Sequence, residues 1–201
     1  MVSIIFRFSS NLIKLHNYEN VTLRKSDDPV LRHQARDVTD DELNSDEFKV
    51  LLKQMVDLMR ANRGQGIAAP QVGVGLRVIA VEFSAQDYEN AVSYYGEQEV
   101  ARREMRVFPL TVLVNPTMRV VDFDSTVFEE GCLSLGTLFG PVKRFKGVEI
   151  EGLDERGEAQ TIRASGWTAR ILQHEMHHLK GLLIPDYFVK KSRGWLRNRM
   201  K

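Results

Sequence analysis

Residues 165–181 read Ser165-Gly-Trp-Thr-Ala-Arg-Ile-Leu-Gln-His-Glu-Met-His-His-Leu-Lys-Gly181. Ser165 can cap the start of a helix and Gly181 can end it, so this stretch predicts a final helix. His174 and His178 are four residues apart, which places their imidazoles one turn apart on the same helix face. Two imidazoles on one face can bind one divalent metal, and Glu175 then lies close enough to act on a water there.

The histidine pairing has a second possibility. His177 is three residues from His174, so these two imidazoles can also share a face. A catalytic metal usually has three protein ligands. The 23 residues after His178 contain no His or Glu, and Asp186 is their only carboxylate. We therefore expect the third ligand upstream of the helix.

Cys132 is the upstream candidate and the only cysteine of the chain. It lies in Glu130-Gly-Cys-Leu-Ser134, between a predicted strand and a loop. A neighbouring glycine lets the backbone turn tightly and approach a metal or substrate. The alternative interpretation is a buried structural cysteine, which is common for an isolated one. A single cysteine also excludes an intrachain disulfide.

A third motif reads Gly64-Gln-Gly-Ile-Ala-Ala-Pro-Gln71. It follows a predicted helix and precedes a strand, and it lacks the Lys-Ser/Thr pair of a phosphate-binding P-loop. The small residues instead indicate backbone packed close to a ligand, with the Gln71 amide as a donor. The alternative is a tight turn with an exposed glutamine.

The remaining pattern predicts an α+β fold. Thr39-Asp-Asp-Glu42 is a capping box, and apolar residues at helical spacing continue this N-terminal helix to Gly64. The polar residues 85–106 are interpreted as an inserted loop with at most one helical turn. Strands are predicted at 76–83, 110–114, 118–128, 147–153 and 159–164. We expect antiparallel or mixed strands packed around a central metal-binding helix.

Composition excludes several classes of protein. The chain has 201 residues, a size typical of one domain. Its 28 Lys and Arg face 27 Asp and Glu, which argues against a DNA-binding protein. The sequence contains no apolar run of the roughly 18–20 residues that a membrane span needs, so we expect no membrane partner.

The three motifs, in this order, resemble the signature motifs of the peptide deformylase family. The resemblance extends from about Asp28 to Asp186, and the insert before Phe108 is most similar to the mitochondrial-type eukaryotic branch. It implies a hydrolase that removes the N-formyl group from the initiator methionine of new polypeptides and releases formate. It also implies one divalent metal, with Fe²⁺ expected and Zn²⁺, Ni²⁺ or Co²⁺ possible.

The resemblance also implies roles for individual residues. Cys132, His174 and His178 would bind the metal, and Glu175 would carry the proton. The Gln71 amide and the Leu133 backbone N–H would donate to the developing oxyanion. The expected substrate-binding residues are Gly66, Ile67, Phe128, Glu130, Trp167 and Ile171.

Three positions depart from the family pattern. His177 replaces an aspartate that pairs with an arginine matching Arg144, so we expect this chain to lack an ion pair beside the metal helix. Gln65 replaces a residue that is more often aliphatic and lies near the substrate methionine. Leu135-Gly136 stands where many bacterial members have an aliphatic residue followed by proline.

Two alternative functions follow from these departures and from the metal motif. One is a catalytically weakened deformylase-like binding protein, and the other is a zinc endopeptidase. The absence of a His or Glu ligand after His178 counts against the endopeptidase.

The termini extend beyond the expected catalytic domain, residues 19–188. Residues 1–18 contain bases and serines but no acid, as in a transit peptide or a flexible terminus. They predict a mitochondrial location, with a bacterial-type cytoplasm as the alternative. Residues 189–201 carry six bases and no acid, which favours contact with ribosomal RNA; the alternative is a solvated tail whose Trp195 packs against the domain.

Overall fold

The computed structural model describes Tyr18 and residues 21–189, so the two predicted terminal segments lie almost wholly outside the described residues. One five-stranded antiparallel sheet has the order β1-β2-β3-β4-β5, which confirms the α+β class. Its strands are β1 Gly66–Ala68, β2 Val78–Phe83, β3 Phe108–Glu130, β4 Gly140–Leu153 and β5 Ala159–Ser165. The helices are α1 Asp40–Leu43, α2 Asp46–Ala61, α3 Ala85–Tyr95, α4 Glu97–Arg102 and α5 Gly166–His178.

The N-terminal helix is divided in two, so the prediction of one continuous helix from Thr39 is wrong. Thr39 and Glu42 form the expected capping box, but α1 ends after a single turn. Ser45 then caps α2 by accepting a hydrogen bond from the Phe48 backbone N–H. A second N-cap so close to the first restarts the helix, because each cap satisfies backbone donors that only a helix start exposes.

β3 is one strand of 23 residues that joins two of the predicted strands. The irregularity between them is Asn115, whose φ of 52° shifts the register between Val114 and Thr117. The Asn115 amide bonds both the N–H and the C=O of Val38, which ties the N-terminal segment to the sheet. β4 begins at Gly140, seven residues before the predicted 147, because β3 continues to pair with it as far as Glu130.

The charged insert is helical, so its prediction as a loop is wrong. Ser84 and Asp87 form a capping box at the start of α3, and Gly96 separates α3 from α4 with a φ of 78°. The insert has its own small core, which packs against Trp167 of α5: Phe83, Ala91, Val100 and Met105. Helices α3 and α4 are short and each buries one apolar residue, Ala91 and Val100. The helical spacing of apolar residues is therefore weak in the sequence of the insert.

Helix α5 lies at the centre of the fold, as predicted. Ala169, Leu172 and Met176 pack into a core cluster with residues of β2, β3 and β4. Ser165 precedes the helix, but its side chain makes no capping hydrogen bond, contrary to the prediction. A search of the described helices found none with both the length and the apolar character to cross a membrane.

Glu42 provides a test of this fold at low pH. Arg36 binds its carboxylate through two hydrogen bonds and, with Thr39, lowers the pKa of Glu42 to about 2. Because the unfolded pKa is about 4.3, the pair stabilises the fold fully above that pH and progressively less as the pH falls toward 2. We expect the melting temperature of Glu42→Gln to be lower than that of the parent at pH 7, and the difference to shrink steadily as the pH falls from about 4 toward 2.

The glutamine variant keeps a side chain suited to the capping box, so the change isolates the charge. Glu155→Gln, in the exposed turn between β4 and β5, controls for loss of one surface carboxylate. A melting-temperature difference between parent and Glu42→Gln that is the same at pH 7 and pH 3 would contradict the prediction.

Candidate metal centre

Three side chains converge at the inner end of α5. The Cys132 Sγ and one ring nitrogen each of His174 and His178 lie within 4.8 Å of one another, and all three residues are buried. Cys132 comes from the end of β3, where a short 3-10 turn over Leu133–Leu135 begins, and its Sγ is 3.3 Å from His178 Nε2. The structure thus brings together the predicted ligand set from two distant segments.

The chemistry of this cluster fits one divalent metal. Burial lowers the pKa of His178 well below its ordinary value, so the ring is neutral, the form that binds metals. His178 Nδ1 and Glu175 Oε2 are buried atoms for which the described residues supply no hydrogen-bond partner. A thiolate and two imidazoles suit Zn²⁺, Fe²⁺ and similar ions.

The alternative pairing of His174 with His177 does not match the geometry. His177 Nδ1 is 2.7 Å from Arg144 Nη1, and its ring stacks on Tyr187. The ring is therefore engaged outside the Cys-His-His cluster. Burial, together with the nearby Arg144, lowers the pKa of His177 to about 3, so this ring is neutral and accepts the hydrogen bond.

Glu130 contacts the cluster through the His174 ring. Its Oε2 is 3.1 Å from His174 Nδ1, and Arg144 donates to both of its oxygens at 2.7 and 2.9 Å. Arg170 donates to Oε1 at 2.7 Å. Although burial alone raises the pKa of Glu130, these bonds hold it below its usual range. Glu130 was predicted as a substrate contact; in the structure its Oε2 faces the His174 ring while the two arginines bind its oxygens, so it orients His174.

At position 177, Arg144 faces a neutral imidazole, so the ion pair that the family's aspartate would form is replaced by a hydrogen bond. Arg144 is buried, keeps its ion pair with Glu130, and donates a further hydrogen bond to His177. The family's aspartate is replaced here by a neutral acceptor, so the contact at this position remains while the charge is lost.

Gln71 is buried beside the cluster, so its interpretation as an exposed turn residue is excluded. Its Oε1 accepts a hydrogen bond from the Ala68 backbone N–H at 2.8 Å, which fixes the amide. Its Nε2 is then directed toward Cys132 Sγ at 3.6 Å and Ser134 Oγ at 3.5 Å. Leu133, the other predicted oxyanion donor, directly follows Cys132 and begins the 3-10 turn.

Glu175 follows His174 on α5 and lines the cleft that leads to the centre, and burial raises the pKa of its carboxyl to about 7. A group with this pKa can both accept and release a proton near neutral pH. Gly66 of β1 approaches it closely: a Cβ at this position would lie 2.4 Å from Glu175 Oε1 and 2.9 Å from Ile171 Cγ2. The packing of β1 against α5 therefore requires a glycine at position 66.

An open cleft of about 880 Å³ leads to this centre. Of the predicted substrate-binding residues, four line it: Gly66, Glu130, Trp167 and Ile171. Ile67 does not, because its side chain is fully buried in the core beneath α2. Phe128 does not line it either, since its ring is covered by the guanidinium groups of Arg102, Arg103 and Arg170.

Several cleft residues were not predicted. Arg103 follows α4, and its guanidinium lies 4.5 Å from the Tyr95 ring centre and 4.6 Å from that of Phe128. Tyr94 and Tyr95 of α3 line the same wall. An insert interpreted as a loop provides no signal for them. Arg170 could have been found, because it places a charge on the buried face of the final helix.

Gln65 shapes the inner part of this wall. Its Oε1 accepts a hydrogen bond from Trp167 Nε1 at 2.7 Å, and its backbone C=O accepts one from Glu82. The departure at position 65 thus fixes the orientation of the indole, which an aliphatic side chain could not do by hydrogen bonding.

The fold and the site define a class: an α+β protein with a Cys-His-His donor set for one divalent metal on its central helix. The chain belongs to the polypeptide deformylase family, which its sequence matches over residues 21–194.

Relatives and solved structures agree with this assignment. The chain is 40% identical to peptide deformylase 1A, chloroplastic/mitochondrial, of Arabidopsis thaliana over 83% of its length and 61% of that protein. It is 43% identical to the mitochondrial peptide deformylase of Homo sapiens over 79% of its length and 64% of that protein. Each match spans less than two thirds of the relative.

Among solved structures, a Met-Ala-Ser-bound class I type b peptide deformylase of Acinetobacter baumannii is 31% identical. It superposes with a TM-score of 0.72 over 84% of this chain and 98% of that one. The Synechococcus elongatus peptide deformylase in complex with actinonin gives 0.71 at 31% identity, over 86% of this chain and 83% of that one.

Loss of one ligand provides a test of the centre. We expect the parent to bind one Zn²⁺ or Co²⁺ per chain, and His178→Ala to bind it at least about 100-fold more weakly. The reason is that loss of an outer partner alone typically costs 10–100-fold. Competition with a chromophoric chelator measures the affinity. His33→Ala, an exposed histidine, is the matched control. Parent-like binding by His178→Ala would contradict the assignment.

Proposed function

We propose that this protein removes the N-formyl group from the N-terminal methionine of new polypeptides and releases formate. The observation that carries the proposal is the position of Glu175, buried beside the Cys-His-His cluster at the inner end of an open cleft. Membership of the polypeptide deformylase family supports it. The Met-Ala-Ser ligand of the Acinetobacter relative has the chemistry of the expected product.

The metal would be held by Cys132, His174 and His178. A divalent ion bound there lowers the pKa of a water and polarises the formyl carbonyl. The Glu175 carboxylate accepts a proton from the attacking water. It then delivers that proton to the methionine nitrogen as the C–N bond breaks. One water and one formyl amide thus give formate and a free amine.

Gln71 and Leu133 would stabilise the charge that develops on the formyl oxygen. Gln71 Nε2 can donate because its Oε1 is already held by Ala68, so the amide cannot turn away. The Leu133 N–H lies at the start of a helical turn, where backbone donors have no partner within the turn. Donors held in place before the reaction stabilise such a charge without reorganisation.

The methionine side chain would contact Trp167 and Ile171 at the inner wall of the cleft. β1 is an edge strand of the sheet, and its first residue, Gly66, lines the cleft. A peptide can therefore bind as an added strand, with main-chain hydrogen bonds to this edge. Gln65 holds the indole that forms the side of the pocket.

We further propose Fe²⁺ as the native metal, as the family resemblance implies; the thiolate and imidazole donors accept Zn²⁺, Ni²⁺ and Co²⁺ as well. A mitochondrial location is proposed from the acid-poor N-terminal sequence and the names of the human and plant relatives. The deformylases of bacteria among the relatives leave a bacterial-type cytoplasm as the alternative.

Replacement of Glu175 tests the mechanism. We expect Glu175→Gln to retain its metal but to lose at least about 100-fold in kcat toward formyl-Met-Ala-Ser, the usual scale for loss of a positioned proton carrier. Formate release is measured with the Fe²⁺, Co²⁺ and Zn²⁺ forms. Glu151→Gln, on the exposed side of β4, is the matched control.

Three outcomes of that experiment would contradict the proposal. Near-parent turnover by Glu175→Gln would exclude it as the proton carrier. A parent enzyme that binds the peptide but releases no formate with any metal would indicate the weakened binding protein. Cleavage of an internal bond in an unformylated peptide would indicate the endopeptidase.

The basic tail provides a separate proposal. Residues 190–201 lie outside the described residues, and their sequence supports contact with ribosomal RNA. We expect removal of 190–201 to abolish co-sedimentation with ribosomes while hydrolysis of a short formylated peptide persists. In the parent, binding should weaken steeply between about 50 and 200 mM salt. Unchanged co-sedimentation after truncation would exclude this role of the tail.

A further inference from the structure

His177 has a second contact that the family pattern does not explain. Its ring stacks on the ring of Tyr187, with centroids 3.9 Å apart and an angle of 12° between the planes. On its edge, Nδ1 is 2.7 Å from Arg144 Nη1. The guanidinium of Arg144 in turn lies 5.7 Å from the Tyr187 ring centre. Three side chains from α5, β4 and the segment after α5 therefore form one packed group.

The chemistry of this group fixes the form of His177. An arginine can only donate hydrogen bonds, so Nδ1 must be the acceptor and the ring is neutral. A neutral ring can replace one acceptor oxygen of a carboxylate but supplies no charge to hold the arginine. Its orientation must therefore come from packing, and Tyr187 supplies a parallel face for the imidazole.

Tyr187 is itself firmly held. It belongs to a short 3-10 turn, Ile184–Tyr187, whose Asp186 binds Arg32 at 2.5 Å and accepts the Leu183 N–H at 2.8 Å. The next residue, Phe188, forms a bridge with Val142 of β4. The turn that carries the stacking ring is thus fixed to the N-terminal segment through Arg32 and to the sheet through Val142.

We propose that Tyr187 is a positioning residue for the metal centre. Its ring holds the neutral His177 under Arg144, Arg144 holds the Glu130 carboxylate, and Glu130 orients the His174 imidazole. In this chain the stacked tyrosine keeps the acceptor at position 177 in contact with Arg144, whereas an aspartate there would be held by its charge. The proposal concerns metal retention and does not depend on the reaction that the metal supports.

A double-mutant cycle tests the proposal. Tyr187→Leu removes the stack, and Tyr187→Phe is the matched control that keeps the ring. Both are made in the parent and in His177→Asp, where an aspartate can pair with Arg144 without a stack. The readouts are the rate of Co²⁺ transfer to an excess of chelator and the visible absorption of the Co²⁺ form, which reports ligand orientation.

We expect Tyr187→Leu to release Co²⁺ about 10-fold faster than the parent and to shift its visible bands, the lower end of the range for loss of an outer partner. Tyr187→Phe should stay within about twofold of the parent. In the His177→Asp background, the same leucine change should alter release by less than about threefold.

Three results would overturn the proposal. One is parent-like Co²⁺ release and spectrum in Tyr187→Leu, even if its melting temperature falls. Another is an equal effect of Tyr187→Leu in both backgrounds, which would indicate a general packing role. If Tyr187→Leu does not fold, His177→Asn, which keeps an acceptor but no ring, must show the faster release; parent-like release there would also overturn it.

These readouts are independent of the proposed deformylase activity. If the cycle shows the expected coupling but no formate is released by the parent, only the proposed function fails. If formate is released normally and the cycle shows no coupling, only the role of Tyr187 fails.

Discussion

The Glu130 carboxylate is the buried charge on which the rest of the centre depends. It ends β3, and its partners come from β4 through Arg144 and from α5 through Arg170 and His174. A buried charge that loses a partner typically costs about 3–5 kcal/mol, so the two strands and the helix are held in one relative arrangement. The same arrangement brings Cys132, two residues after Glu130, opposite the histidines. Pairing of one charge thereby determines where three ligand atoms from distant segments meet.

The second constraint is the close approach of β1 to α5. With no side chain at Gly66, the strand lies against Glu175, and Gln71, five residues further along the chain, directs its amide toward Cys132. Burial by these neighbours raises the pKa of Glu175, so the packing that forms the core also sets the pKa of the carboxyl that we propose as the proton carrier. The hydrogen bond from Ala68 to Gln71 belongs to the same short segment. The same contacts of β1 and Gln71 therefore stabilise this edge of the sheet and place the polar groups of the site.

Much of the site could be predicted because its signals are local. The spacing of His174 and His178 defines one helix face, and that face is where the structure places the cluster. The role of Glu130 could not be inferred, because its partners are 14, 40 and 44 residues away in the sequence. The prediction of the insert as a loop is wrong because its two helices bury few residues and so leave little apolar spacing in the sequence. The register shift at Asn115 depends on a contact with Val38, 77 residues away, which no local pattern encodes.

The inserted helices give the cleft an outer wall that is built separately from the metal centre. Tyr95 and Arg103 reach the cleft from a segment with its own small core, whereas Cys132 and the histidines belong to the main sheet and α5. Mutations in the insert can therefore alter the entrance while the reactive groups stay in place. An inhibitor that binds only at the metal centre would make no contact with this wall. A compound that extends past Trp167 to the Tyr95 ring would contact a part of the cleft that the residues 85–106 alone provide.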